Sequence, residues 1–154
     1  MGIRFLITGI IAVILGSISN SSFADEKNCS HTETSFQCVK IRSIYDGDTL
    51  RVDIPSLHPL LGQNIGIRVR GIDTPEKRTK DQCEKKQAYK ALDLVKSELS
   101  NAKTIRLENC SRGKYFRLVC DVVYEGRNLA KTLIDRKLAR VYDGGTKSKE
   151  SWCK

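Results

Sequence analysis

Three short stretches of this chain put acids, cations or both at spacings that chemistry can use. They are Asp46-Gly47-Asp48-Thr49, then Arg68-Val69-Arg70-Gly71-Ile72-Asp73-Thr74-Pro75-Glu76, then Lys114-Tyr115-Phe116-Arg117. Clustered carboxylates suit a hard divalent cation, because calcium and magnesium take oxygen ligands from acids, carbonyls and water. Arginines suit a phosphodiester, because the planar guanidinium donates two bonds to phosphate oxygens and keeps its charge near neutral pH. Together they outline metal-assisted phosphoryl transfer, in which positioning and charge neutralisation supply most of the acceleration. Each stretch alone has a plainer reading. Asp-Gly-Asp-Thr is a tight turn, and the further ligands and closing Glu of an EF-hand loop do not follow it. Asp-Thr-Pro-Glu can be an ordinary strand end, and Arg68 and Arg117 can be solvated strand residues. It is the combination that points to a site.

Such a site needs rigid elements to hold it. Val39 to Tyr45 alternates, with Val39, Ile41 and Ser43 on one face, and Leu50, Val52 and Ile54 alternate after the Asp46–Asp48 turn, so these two strands form a hairpin. Residues 55–64 hold two prolines and read as a surface loop or short helical turn. Ile65 to Ile72 reads as a third strand, ended by Thr74-Pro75. From Cys83 to Leu99 the apolar residues Ala88, Ala91, Leu92, Val95 and Leu99 fall at helical spacing. Thr104 to Glu108 and Arg117 to Tyr124 form a second hairpin, and Leu129 to Leu138 a short second helix. Five short strands with an interposed helix fit an α+β, mainly β chain. The architecture expected is a five-stranded barrel of oligonucleotide/oligosaccharide-binding (OB) type with two to three helices. Arg68 and Asp73 are an odd number of residues apart and would face opposite sides of a regular strand, so their convergence requires either a bulge, which Gly71 can accommodate, or that Asp73 lie past the end of the regular strand.

The ends of the chain place the domain. Arg4 precedes an apolar run from Phe5 to Leu15, followed by small polar residues up to Ala24. This is the pattern of a secretory signal peptide over residues 1–24, set against the alternative of an uncleaved anchor, for which the run is short. A polar tail over 25–38 then leads into the domain at 39–154. All six cysteines lie behind the leader, and an even count there reads as a disulfide framework in a secreted or periplasmic protein. Zinc is disfavoured because there is no C-x-x-C pair. Of the many possible connectivities, the preferred one is Cys29–Cys38, Cys110–Cys120 and Cys83–Cys153. The second is the firmest, because its cysteines sit on two arms of a hairpin. Of the 154 residues, 40% are hydrophobic and 29% charged, which suits a single folded domain, and the net charge of +9 favours a polyanionic partner.

In this order the motifs at 46–49, 67–76 and 114–117 resemble the signature of the staphylococcal nuclease (thermonuclease) family, a resemblance that extends from Val39 to Tyr142. What it implies is a calcium-dependent endonuclease acting on DNA or RNA, with single strands preferred, as a monomer and leaving 3′-phosphate products. By the same resemblance one Ca2+ is held by Asp48, Asp73 and the Thr74 carbonyl, with Asp46 in the outer shell. Glu76 positions or deprotonates the attacking water. Arg68 and Arg117 hold the scissile phosphate, and Lys114 and Tyr115 bind a neighbouring one. The chain departs from the family at Phe116, where Gly is common, and at Gly113, where an acid is common. The loop at 55–64 is longer, the charged loop after Glu76 is shorter, and only Thr146 to Lys154 follows Gly145 where a C-terminal helix is expected. A disulfide at Cys153 would pin this shortened end. Tyr142 receives no role.

Two further readings compete. A non-catalytic OB barrel can bind single strands by charge and stacking, but with five Tyr, four Phe and one Trp the stacking platform is thinly supplied. A basic protein coating polyanions or membranes needs no interspersed acids, and no long basic amphipathic helix is present.

Overall fold

Alternating apolar residues build the two strands that start the sheet, and the computed structural model, which describes residues 29–153, shows how they curl. The leader read over 1–24 and the start of the polar tail lie outside the described residues. Strands β1 (Lys40–Ile44) and β2 (Thr49–Asp53) form the first antiparallel hairpin, and β2 pairs with β3 (Ile65–Val69). After the helix α2 (Gln82–Ser100), strands β5 (Ile105–Arg112) and β6 (Leu118–Tyr124) form the second hairpin, and β6 joins β3 in parallel. The sheet order is β1-β2-β3-β6-β5. Its two edges approach each other, because Val39 N donates to Ile105 O at 3.2 Å. The result is the curled, mainly β, OB-type half-barrel expected, with three helices among the described residues.

The small elements were harder to read. A single turn of helix, α1 (Pro59–Gly62), fills the loop at 55–64, with proline in its first turn and the His58 side chain accepting from Leu60 N. The third strand is not continuous to Ile72. It stops at Val69, turns at Arg70-Gly71, and resumes as β4 (Ile72–Asp73), which pairs instead with β8 (Arg140–Val141). Gly71 has φ +77° with open space around a would-be Cβ, so its backbone conformation is what the corner requires of it. Between β6 and the helix α3 (Leu129–Asp135), a two-residue strand β7 (Arg127–Asn128) folds back on β6. The register shift between Ile41 and Ser43 also corrects the first strand. Ile41 and Ile44 pack inward and Ser43 is exposed, because the irregularity resets the alternation.

The N-terminal tail does more than hang on its cysteines. Phe36 exchanges two backbone hydrogen bonds with Leu107 of β5, at 2.8 and 2.9 Å, and Cys110 N donates to Thr34 O. Helix α2 caps the half-barrel with the five expected residues, Ala88, Ala91, Leu92, Val95 and Leu99, all buried. Ala91, Val95 and Leu99 meet Leu50, Ile67, Val69, Leu107, Val122, Tyr124 and Leu129 in one core. Full burial of each large apolar side chain contributes about 1.5–3 kcal/mol before entropy is counted. The Asp81 carboxylate caps α2 by accepting from Cys83 N and Glu84 N, which fixes where the helix starts and therefore where Cys83 stands. Three disulfides, Cys29–Cys38, Cys83–Cys153 and Cys110–Cys120, close the framework in the preferred pairing.

Candidate active site

Strand register brings the three motifs to one end of the barrel. In the β2–β3 ladder Thr49 faces Arg68, and in the β3–β6 ladder Arg68 faces Val119, so Arg68 stands between the Asp46–Asp48 turn and the β5–β6 turn that carries Lys114 and Arg117. Asp48 O accepts from Val69 N at 2.8 Å, locking the first turn to β3. Gly47 allows that turn to lie close. A Cβ there would meet Thr74 Cγ2 at 2.9 Å and Ala91 Cβ at 3.0 Å.

Folding draws the two expected metal-binding stretches together underneath. The buried polar or charged residues among those described are Asp48, Asp73 and Thr74, exposed by only 5%, 8% and 3%. Buried carboxylates need partners, and both find the Arg68 guanidinium. Arg68 pairs with Asp48, stands 3.7 Å from Asp73 Oδ1, and donates to Ile72 O at 3.1 Å. The turn at Gly71 makes this convergence possible and resolves the opposite-face problem posed by a straight strand. Burial pulls the Arg68 guanidinium below its ordinary value, with Asp73 and Asp46 opposing it.

The remaining expected residues other than Tyr115 line one cleft of about 540 Å³, whose walls include Asp46, Asp48, Arg68, Glu76, Lys114 and Arg117. Asp46 Oδ1 accepts from Asp48 N, and burial pushes its carboxyl above the usual aspartate range, with Lys77 opposing and Glu76 reinforcing the shift. Glu76 is held at its backbone, N donating to Glu84 Oε1 at 3.1 Å. The Arg117 stem lies over Gly66, and its buried Nε has no hydrogen-bond partner. Tyr115 stands apart, 84% exposed on the wall of an adjoining cleft of about 550 Å³. Arg70 turns away from the site, and its Nη2 serves the backbone at Asn109 O and Val119 O and the Ser111 hydroxyl.

Two residues of the cleft had no role in the sequence reading. Tyr142 lines it, its hydroxyl donating to Gly145 O at 2.7 Å and its N to Gly71 O at 2.9 Å. Lys147 reaches into it from the C-terminal segment, Nζ lying 2.8 Å from Asp73 Oδ1 and 2.6 Å from Glu76 Oε1. The contact with Asp73 is an ion pair outside hydrogen-bond geometry, so the buried Oδ1 accepts no hydrogen bond. Burial alone would lower the Lys147 ammonium, but the Asp73 and Glu76 carboxylates outweigh it and the net shift is upward. The one available signal was Cys153, six positions on, which marked this end as pinned.

The donor set fits a hard cation. Asp48 and Asp73 offer carboxylate oxygens, one of them without a hydrogen bond, and the buried Thr74, next to Asp73 in the chain, adds a backbone carbonyl. Among the described residues no three or more His, Cys, Asp or Glu side chains come together to hold a metal ion, so an ion here would take its other ligands from water and substrate.

The chain is thus a basic OB-type half-barrel with buried aspartates beneath a cleft that a glutamate and two arginines line. The family model of the staphylococcal nuclease homologues matches residues 66–152, more than half of the chain, and the chain belongs to that family. No match was found among curated proteins. The matched stretch takes in Arg68, Asp73, Thr74, Glu76, Lys114, Tyr115 and Arg117, while Asp46 and Asp48 precede it and join the site through the β2–β3 register.

Proposed function

We propose that this protein is an extracytoplasmic, calcium-dependent endonuclease that hydrolyses DNA or RNA to 3′-phosphate products. The observation that carries the reading is the burial of Asp48, Asp73 and Thr74 beneath a cleft that also holds Glu76, Arg68 and Arg117. A structural barrel has no use for two buried carboxylates at the mouth of a basic groove, where they oppose an anionic ligand.

Arg68 and Arg117 hold the scissile phosphate from two sides and stabilise the charge that grows on its oxygens in the transition state. Glu76, at the rim, holds and orients the water that attacks phosphorus in line with the departing 5′ oxygen, and takes up its proton. Lys114 and Tyr115 bind the neighbouring phosphate and keep the strand in register. Calcium, when bound by Asp48, Asp73 and the Thr74 carbonyl, supplies Lewis-acid polarisation and charge neutralisation at the phosphate. Secretion is supported by the leader pattern of 1–24 and by three disulfides, which persist in oxidising compartments. Among the described residues no helix is long and apolar enough to cross a membrane.

Oxidised protein incubated with single-stranded DNA should cleave it in calcium and stop on addition of excess chelator. Arg68→Ala and Glu76→Gln should each lower kcat/KM by about 10²–10⁴-fold. Cleavage that persists in chelator, or that survives both substitutions, overturns the mechanism. Tight, salt-sensitive binding without cleavage supports the non-catalytic barrel instead.

A further inference from the structure

The segment after β8 is anchored at both ends, and the anchors decide where Lys147 stands. At its start Tyr142 N donates to Gly71 O at 2.9 Å, and Tyr142, Asp143 and Gly145 form a local turn through the Tyr142 hydroxyl and the Asp143 carboxylate. At its end Arg140 donates to Glu150 O at 2.8 Å and to Ser151 O, its guanidinium lies 3.9 Å from the Trp152 ring centroid, and Cys153 is joined to Cys83. Between these anchors Lys147 lays one ammonium across two carboxylates of the cleft, Asp73 and Glu76.

We infer that Lys147 is a built-in counter-ion that competes with the divalent cation for Asp73. The inference rests on the calcium reading above and adds a residue that sets the affinity of that site. The physical basis is occupancy. Asp73 Oδ1 is buried and accepts no hydrogen bond, so positive charge must neutralise it; the Arg68 guanidinium stands 3.7 Å away, and the Lys147 ammonium, at 2.8 Å, is the nearer of the two cations. A divalent cation on the same oxygen would stand within a few ångströms of that ammonium, where repulsion between the two is strong. Nζ must therefore give up Asp73 when the cation enters, keeping Glu76 or turning to the phosphate. Part of the cation's binding free energy is consumed in displacing a lysine that cannot diffuse away, because the tail is fastened on either side of it. The exchange raises the calcium concentration needed for activity and keeps the Asp73 carboxylate paired below that concentration.

The test is calorimetric titration of Ca2+ into the oxidised protein without nucleic acid, for wild type, Lys147→Met, Lys147→Arg and Asp73→Asn. The Lys147 side chain is half exposed on a surface segment, so its variants retain the fold. Lys147→Met should bind calcium about three- to fivefold more tightly, the scale of a partly exposed ion pair, and Lys147→Arg should stay near wild type. Binding should disappear in Asp73→Asn. Equal or weaker binding by Lys147→Met, or tightening by Lys147→Arg to the same extent, overturns the competition while leaving the calcium site standing. No binding by wild type or by Lys147→Met, or binding that survives Asp73→Asn, overturns the calcium reading and this inference with it.

Discussion

Gly47 has no side chain to react, yet it sets the distance between the two acidic stretches. Its missing Cβ leaves room for Thr74 and Ala91, and neither neighbour is the flexible end of a long side chain that could swing aside. Gly47→Ala should push the Asp46–Asp48 turn off the Thr74–Pro75 corner, lowering stability by about 1–3 kcal/mol. The loss of nuclease activity and calcium affinity should be larger than that destabilisation explains. Urea unfolding beside calcium titration checks this, and unchanged affinity in a destabilised variant would show that the turn's position is not critical. At this scale much of the site was legible, because acids and guanidinium groups in a fixed order carry their chemistry in their side chains. Lys147 was not legible. It sits in a polar run without periodicity, and only the fold of a pinned tail brings it to Asp73, 74 positions away in sequence.

Among the elements, legibility tracked length and period. Helix α2 repeats its apolar stripe from Ala88 to Leu99, about three turns, and its buried face follows the sequence residue by residue. Two-residue strands such as β4, β7 and β8 have no period to detect: β7 forms against the longer β6, while β4 and β8 exist only as partners of each other. The β6–β7 hairpin shows how local chemistry replaces period. Glu125 and Gly126 both have positive φ, 46° and 74°, as a tight hairpin turn requires, and the Glu125 carboxylate accepts from Lys103 N, Thr104 N and the Thr104 hydroxyl. The Thr104 and Lys103 backbone bonds hold the Glu125 carboxyl below the usual glutamate range. A depressed carboxylate pKa contributes stability above the unfolded-chain value and loses it as pH falls through the folded value. Glu125→Gln should therefore unfold at lower urea than wild type at pH 7, and the two midpoints should converge on acidification below about pH 4. A gap that is constant with pH would mean that charge on Glu125 plays no part.

For the whole molecule, the basic excess and the disulfides act on the same cleft in different ways. The net charge of +9 favours a polyanionic partner, while the cleft itself is kept locally balanced by Arg68 and Lys147 against Asp48, Asp73 and Glu76. The Cys83–Cys153 bond spans 70 residues and ties the tail to the first turn of α2, whereas Cys29–Cys38 and Cys110–Cys120 span 9 and 10. Chain entropy assigns the long loop about 4 kcal/mol and the short ones roughly 3 kcal/mol each, so Cys83→Ser with Cys153→Ser should be the costliest of the three pairs to remove in urea unfolding. The same double variant frees the segment that presents Lys147 to Asp73. If the tether is what keeps the ammonium at its carboxylates, stability and calcium affinity should move in opposite directions, the protein unfolding more easily while calorimetry shows tighter calcium binding. A variant that loses both together would mean that the tail builds the cation site and does not compete for it.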